Sequence, residues 1–425
     1  MRFAIKGDIV YTPTPQAFVQ EPDAYVLCND GLCCGVVKEL PADWKQAEVF
    51  DYTGKLIMPG LVDLHAHAPQ YAFRGMGMDL QLLDWLNTYT FPEEAKYART
   101  EYAARMYEAF AQELRRGPTT NAVIFGTLHT DSDLLLADLL EKTGVRVLLG
   151  KVNMNRNSPE YLTETAAESL SETERFIHGL SGFTGVRPII TPRFVPSCDA
   201  ELMTGLAELA EKYHAPIQSH LDENTSEVQW VHELHPDCDS YADVYRRFGL
   251  LDNKTVMAHC VHVTDAEQNM LKSAGTFIAH CPQSNVNLCS GIAPAVHYLT
   301  SGQRIGLGTD IAAGASLNMF RAASDAIRVS KMRYFYTKQD RPLTVSEAFY
   351  LATKGGGAYF DSCGFAKTGS FENGYSFDAI VLDDTEFIHI DDLSLAQRTE
   401  RILYLSDYHT IKEKFVNGRR IYEES

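Results

Sequence analysis

Two histidines alternate at the end of an apolar run, in the segment Val62-Asp63-Leu64-His65-Ala66-His67. In a β-strand, side chains at positions i and i+2 lie on the same face. The imidazoles of His65 and His67 are therefore expected to project together, which is the arrangement that a metal ion requires. Because a bare pair with this spacing is a weak signal, it predicts metal binding only together with further ligands.

Three further groups with ligating chemistry also end or follow short apolar runs: His220, His259 and Asp310, with Glu223 three residues after His220. In a barrel of β/α units the carboxyl ends of the strands carry the active site. Five such groups at corresponding strand ends predict one metal site suited to zinc, with iron possible. Bound zinc lowers the pKa of water from about 15.7 to about 7, a shift worth roughly 12 kcal/mol. The pattern therefore indicates metal-assisted hydrolysis.

The elements that must position these groups alternate between residues 60 and 355, where short apolar runs are separated by amphipathic stretches. We expect helices at Glu101–Leu114 and at Ser132–Lys142, the latter capped by Ser132, and a strand at Phe277–His280. About eight such alternations imply a parallel sheet with right-handed crossovers. The prediction is a TIM-like (β/α)8 barrel over residues 58–365.

Both chain ends have β character instead. Asn29-Asp30-Gly31 and Asn417-Gly418 are strong signals for tight turns between antiparallel strands. The chain has 425 residues, whereas a barrel alone takes roughly 250. We therefore expect residues 1–57 and 366–425 to meet in one small β-sandwich domain beside the barrel.

The composition excludes some functions. Lys plus Arg number 38 and Asp plus Glu number 56, so the formal charge is 38 − 56 = −18. A surface this acidic repels phosphate backbones and argues against nucleic-acid and membrane binding. It does not exclude a neutral nucleobase as a substrate.

The compartment is predicted from the cysteines and the chain start. No run approaches the ~20 apolar residues of a membrane span, and the start lacks the apolar core of a signal peptide. The nine cysteines form no Cys-x-x-Cys pair, which favours a reducing cytoplasm and excludes the zinc deaminases that use such a pair.

Several segments together resemble the amidohydrolase superfamily, and within it the mononuclear aminohydrolases that deaminate heterocycles. The first is Pro59–His67, which is similar to the strand-one signature of that superfamily. The others resemble its guanine-deaminating members over residues 55 to 360 and are His67–Tyr71, Asp79–Leu86, Tyr89–Pro92, Leu128–Ser132, Thr191–Phe194, Ser219–Asn224, Ala279–Pro282 and Gly306–Asp310.

The resemblance implies a reaction and a cofactor. The reaction is hydrolytic deamination of guanine to xanthine and ammonia by a metal-bound hydroxide. The implied metal is one zinc ion per chain, with iron possible, held by His65, His67, His220 and Asp310. His259 would hydrogen-bond the hydroxide.

The resemblance also implies roles around the substrate. Glu223 would carry the proton, and Asp310 would accept the proton of the water. Gln70, Arg193 and Phe194 would form the purine pocket, and His220, Glu223 and Asp310 would also contact the substrate. Pro69, Arg74 and Cys260 depart from the residues expected in this family. These departures leave the metal ligands unchanged but affect the rim of the pocket and so the fine substrate specificity.

Three alternatives stay open. Lys151 could bridge a second metal if the strand count is off by one. A related deaminase could act on a pterin, an adenine-like or a cytosine-like base. The chain could also be a non-catalytic scaffold on this fold, an interpretation that predicts missing metal ligands. His129 and His280 could line the pocket or be structural, and a homodimer follows only by analogy with the family.

Overall fold

The computed structural model describes residues 2–385, 387, 390 and 392–424. Its secondary structure mixes α-helices with three larger sheets and one short strand pair. The strands are β1 Arg2–Thr14, β2 Ala17–Asn29, β3 Leu32–Val37, β4 Glu48–Pro59, β5 Leu61–His67, β6 Thr119–Phe125, β7 Arg146–Gly150, β8 Val152–Asn153, β9 Val186–Pro188, β10 Thr191–Pro192, β11 Ile217–Leu221, β12 Thr255–His259, β13 Phe277–His280, β14 Ile305–Leu307, β15 Ala379–Leu382, β16 Ile411–Val416 and β17 Arg419–Glu423.

The two chain ends share one sheet of seven strands, in the order β17-β16-β15-β4-β1-β2-β3. Both predicted turns are present, because Asp30, Gly31, Asn417 and Gly418 all have positive φ, as two-residue turns between antiparallel strands require. The two turns also meet. The N–H of Phe377 donates to the carbonyl of Gly31 at 2.8 Å, and that of Gly418 donates to the carbonyl of Phe377 at 2.9 Å.

The middle of the chain forms two parallel sheets of four strands, β5-β6-β7-β9 and β11-β12-β13-β14. A parallel bridge between Ile190 and Ile217 links one side of the first sheet to the second. On the other side, the N–H of Asp310 donates to the carbonyl of His65 at 2.8 Å, and that of His67 donates to Ile311 at 3.2 Å. All seven residues of β5 are buried, as expected for a parallel strand covered on both faces.

Helices connect most of these parallel strands and cover the sheets. Several begin with a side-chain cap, such as Thr264 before Asp265–Ala274, as the Ser/Thr-x-x-Glu pattern indicates. The α-helices are Leu82–Trp85, Phe91–Glu94, Thr100–Arg116, Thr130–Thr143, Ala166–Gly179, Ala200–Tyr213, Thr225–Leu234, Tyr241–Arg247, Asp265–Ala274, Pro282–Asn287, Ala295–Thr300, Met319–Thr337, Val345–Tyr350, Gly356–Ser362 and Leu395–Leu405.

One predicted helix start was wrong. The helix expected from Ser132 begins at Thr130, so Ser132 lies inside its first turn and does not cap it. The Ser132 hydroxyl instead donates to the carbonyl of Tyr97 at 2.5 Å. The hydroxyl therefore bonds to a buried carbonyl within its reach instead of capping the helix as the sequence pattern predicts.

The terminal sheet is anchored to the parallel sheets by Lys414 of β16. Its fully buried amine donates to the carbonyls of Leu114, Gly117 and Thr119, each at 2.9 Å. Leu114 lies in the last turn of the helix Thr100–Arg116, Gly117 follows that helix, and Thr119 begins β6. One side chain therefore connects the terminal sheet to the helix, the turn after it and the next strand. Among the described residues, no helix is both long and apolar enough to cross a membrane.

Candidate active site

The two histidines of β5 lie side by side in the interior. His65 and His67 are 1% and 2% exposed, and their Nε2 atoms are 3.2 Å apart. The alternation of the strand therefore turns both imidazoles to one side, as the spacing predicts. The ring of Phe125 packs against both, with centroid distances of 5.0 Å to His65 and 4.5 Å to His67.

His220 reaches the same point from β11. Its Nδ1–H donates to the carbonyl of Arg193 at 2.5 Å, which fixes the ring and leaves the lone pair on Nε2. That Nε2 lies 3.2 Å from Nε2 of His67. A hydrogen bond on the far nitrogen is the usual support for a histidine that ligates a metal ion.

Asp310 completes the group from the segment that follows β14. Its Oδ1 lies 3.2 Å from Nε2 of His65 and 3.5 Å from Nε2 of His67. The backbone of Asp310 is left-handed, with φ 48°, as is that of His259, with φ 73°. Such strained backbone in residues with side chains collects at functional sites, where the surroundings hold it in place.

These four side chains fit a metal ion. Zinc bound at about 2.0–2.1 Å by tetrahedral ligands sets neighbouring ligand atoms about 3.3 Å apart, which matches the separations of 3.2–3.5 Å. His65, His67 and His220 form one possible metal-binding group, and His65, His259 and Asp310 form another.

The protonation states of the four residues suit the same role. Burial lowers the pKa of His67 and of His220 well below the usual value, and the other histidines lower it further. Burial opposes ionisation of Asp310, yet the neighbouring imidazole of His65, including its hydrogen bond to the carboxylate, holds the pKa of that carboxyl well below the usual range. Neutral imidazoles and an ionised carboxylate are the forms that bind metals.

His259 and Glu223 stand beside this cluster. Nε2 of His259 lies 3.3 Å from Oε2 of Glu223 and 3.9 Å from Oδ2 of Asp310. The Nδ1–H of His259 donates to Oδ1 of Asn285 at 2.9 Å, so its Nε2 faces the site as an acceptor. Asn285 was not identified from the sequence, although it follows the Ala279–Pro282 segment closely.

Glu223 is buried, and hydrogen bonds fix both its carboxyl group and its backbone. The Ser290 hydroxyl donates to its Oε1 at 3.2 Å, and its backbone N–H donates to Oε2 of Glu227 at 3.0 Å. Burial, and next the charge of Asp310, raise the pKa of Glu223 well above the usual value. A carboxyl in this state can keep a proton at neutral pH and deliver it.

A cleft opens beside these groups, with an empty volume of ≈ 420 Å³. Gln70, Arg193 and Phe194 all line it, as do His67, His220, Glu223, His259 and Asp310. The other residues that line the cleft were not predicted individually from the sequence, although three of them lie in the Asp79–Leu86 segment. They are Leu82, Trp85, Leu86, Glu227, Leu288 and Ala313. Six of the fourteen lining residues are apolar and eight are polar or charged. Apolar contact surface combined with polar groups that fix orientation is typical of a small-molecule site.

Glu94 is a further residue that the sequence did not reveal. It is 2% exposed and accepts hydrogen bonds from Nη1 and Nη2 of Arg193, at 2.6 and 3.1 Å. Its Oε1 also accepts from Nε2 of Gln70 at 3.0 Å. Only its position after Phe91-Pro92 could have pointed to it.

Other candidates lie outside the cleft lining. Lys151 follows β7, and its buried amine donates to Oε2 of Glu164 at 2.7 Å, so it is committed elsewhere. His280 is buried beside His259, and neither of its ring nitrogens has a hydrogen-bond partner among the described residues. His129 precedes the helix Thr130–Thr143. Pro69, Arg74 and Cys260 are likewise absent from the residues that line the cleft.

Comparisons with known proteins agree with this geometry. The model of the amidohydrolase family matches residues 56–421. Guanine deaminase of Homo sapiens is 40% identical over 400 residues, which cover 90% of this chain and 87% of that protein. Guanine deaminase of Dictyostelium discoideum is 37% identical over 407 residues, covering 94% and 88%. The crystal structure of guanine deaminase from C. acetobutylicum with bound guanine in the active site has a TM-score of 0.96 and 43% identity, covering 99% of this chain and 100% of that one.

Proposed function

The chain belongs to the amidohydrolase family, and we propose that it catalyses the hydrolytic deamination of guanine to xanthine and ammonia. One observation carries the proposal. The buried cluster of histidines and Asp310 opens onto a cleft that Arg193 and Gln70 also line. This occurs in a chain 43% identical, over 99% of its length, to a guanine deaminase solved with guanine in its active site.

We propose that one zinc ion per chain is held by His65, His67, His220 and Asp310, and that iron fits the same donors. A zinc ion held by these residues would lower the pKa of a water molecule to about 7 and so make hydroxide accessible at neutral pH. Lys151 is paired with Glu164, which supports a single ion over a pair bridged by lysine.

The chain's own residues then move the protons. Water adds to C2 of guanine, and the bond from C2 to the exocyclic nitrogen breaks. Glu223, whose pKa burial raises well above the usual value, gives its proton to the ring nitrogen next to C2. His259 accepts a hydrogen bond from the attacking water through Nε2, and Asp310 accepts the proton that the water loses. The proton held by Asp310 then passes to the exocyclic amine, which leaves as ammonia, and the remaining hydroxyl proton at C2 returns to Glu223 as the carbonyl of xanthine forms.

The substrate is held by groups that suit a purine edge. Arg193 offers only donors and is placed to bind the carbonyl oxygen or a ring nitrogen. Gln70 both donates and accepts, which suits an amide-like edge. The ring of Phe194, backed by Trp230 at a centroid distance of 6.1 Å, packs against the base. His220, Glu223 and Asp310 border the reacting end.

The test compares four substrates on one metal-loaded preparation: guanine, adenine, cytosine and a pterin. Adenine carries an amine where guanine carries its carbonyl, so it would set donor against donor at Arg193. Such a mismatch costs about 10⁴ in kcat/KM. Guanine should therefore give the highest kcat/KM for ammonia release. A higher kcat/KM for the pterin or for cytosine than for guanine would overturn the substrate assignment. If none of the four compounds released ammonia, the assignment as a deaminase would be wrong.

We also infer that the two parallel sheets form one (β/α)8 barrel over residues 58–365. The bridge between Ile190 and Ile217 and the hydrogen bonds of Asp310 and His67 support closure on both sides. The terminal sheet, from residues 1–57 and 366–425 where described, is proposed to curl into a sandwich. Phe3 and Phe415 lie three strands apart in the sheet, yet their ring centroids are 6.0 Å apart, whereas three flat strand spacings would be about 14 Å.

Two further expectations stay proposals. A homodimer is tested by light scattering of the purified chain, where a monomer would contradict it. A cytoplasmic location agrees with nine cysteines that are all free of disulfides, and cell fractionation tests it.

A further inference from the structure

We infer that Glu94 is a positioning residue that sets the specificity of the cleft. It orients the donors of Gln70 and Arg193 and balances the charge of Arg193, so that the cleft selects a neutral purine over an anionic one. The inference rests on the proposed function for the identity of the substrate. Glu94 is not among the residues that line the cleft, so it acts through its two partners.

The orientation argument starts from the hydrogen bonds. A carboxylate only accepts, so Glu94 fixes the amide of Gln70 with Nε2 toward itself. The Gln70 oxygen points the other way and accepts from the N–H of Ala312 at 3.4 Å. A flipped amide would place oxygen against the carboxylate and NH₂ against a donor. The remaining N–H of Gln70 therefore has one fixed direction.

Arg193 is fixed in the same manner. Both oxygens of Glu94 accept from its guanidinium, a two-point contact that sets the plane of the group. Phe91, on the same short helix as Glu94, lies 5.3 Å from the guanidinium carbon. The guanidinium N–H groups that do not face Glu94 remain for the substrate, in a plane that the protein has already chosen.

The charge argument follows from burial. The side chains of Arg193 and Glu94 are 3% and 2% exposed, so little water screens them. As a pair they are neutral, and a neutral base can enter without adding an unpaired buried charge. Without the carboxylate, Arg193 would be a buried cation that attracts an anion. Removing the charge of Glu94 should thus raise the affinity for anionic ligands relative to neutral ones. A general loss of folded structure would not produce this selective change.

The chain offers a matched control in the preceding residue. Glu93 is also buried, but its carboxylate faces away, toward Lys96 at 2.6 Å and the hydroxyl of Tyr102. Glu93→Gln removes the same charge from the same helix without touching Gln70 or Arg193. A nonspecific effect of losing a buried carboxylate would appear equally in both variants.

The experiment uses metal-loaded wild type, Glu94→Gln, Glu94→Asp and Glu93→Gln. Calorimetry measures the Kd of hypoxanthine, which is neutral, and of urate, which is anionic, and steady-state assays give kcat and KM for guanine. Glu94→Gln should raise KM at least tenfold with kcat within a fewfold and metal content unchanged. It should also shift the ratio of the two Kd values at least tenfold toward urate. Glu94→Asp keeps the charge but shortens the reach, so KM should rise while the ratio stays.

The results separate the hypotheses. An unchanged ratio in Glu94→Gln, or the same shift in Glu93→Gln, would overturn the specificity role. If Glu94→Gln does not fold, a wild-type KM in Glu94→Asp would overturn the positioning role. Because the Kd ratio needs no turnover, wild type that binds purines but releases no ammonia from guanine would refute the proposed function alone.

Discussion

Replacing Glu223 by glutamine should remove proton transfer while leaving the site assembled. The new side chain has the same shape, and its oxygen can still accept from Ser290, which donates to Oε1 at 3.2 Å. Its NH₂ would face Nε2 of His259, now 3.3 Å from Oε2, and could donate to it. No buried partner is left unsatisfied, so the fold and the metal content should persist.

The magnitude follows from the lost proton. A positioned general acid is worth about 10² to 10⁴ in rate, which is about 2.7–5.4 kcal/mol at 1.36 kcal/mol per factor of ten. Stability should not fall. Because the folded protein raises the pKa of Glu223, the unfolded chain ionises this carboxyl more readily, and at neutral pH that difference favours unfolding. Glutamine removes this penalty.

The assay measures ammonia release from guanine at saturation, the metal content of the same sample and its melting temperature. We expect kcat to drop by about 10² or more, while the metal content matches wild type and the melting temperature does not fall. A kcat within a fewfold of wild type would show that Glu223 is not the proton carrier. Loss of metal would show that the side chain has a ligating role instead.

Three further predictions follow from other contacts. His65→Ala and Asp310→Ala should each lose both bound metal and activity, and elemental analysis of wild type should find one ion per chain; two ions at full activity would contradict the assigned ligands. Wild-type kcat should fall as the pH rises through the raised pKa of Glu223, because the acid is lost there, and the residual activity of Glu223→Gln should lack that limb in a pH–rate profile. Lys414→Met should lower the free energy of unfolding by about 3 kcal/mol, because three buried carbonyls lose their donor; an unchanged denaturation midpoint would refute this.

Much of the candidate site could be predicted from the sequence because its residues end strands. His65 and His67 alternate within one strand, and His220, His259 and Asp310 end or follow three others. Parallel strands bring such positions to one edge, so local patterns were enough to expect convergence. The turns at Asn29–Gly31 and Asn417–Gly418 were predictable for a similar reason, since few residues adopt positive φ without strain.

The rest depended on contacts between distant side chains. Glu94 is 24 residues from Gln70 and 99 from Arg193, and no spacing rule links these three positions. The Ser132 hydroxyl was assigned to a helix end because the sequence does not show that the Tyr97 carbonyl is within reach. Likewise, β4 Glu48–Pro59 joins the two ends of the chain in one sheet, but its mixed polar pattern gave no strand signal.

The central claim is that this chain hydrolyses guanine, and one measurement tests it most directly. Metal-loaded protein is incubated with guanine in water enriched in the heavy oxygen isotope, and xanthine and ammonia are quantified together. The account predicts equal amounts of both products, with one heavy oxygen in each xanthine at C2. Guanine that is recovered unchanged, or xanthine formed without the label, would contradict it.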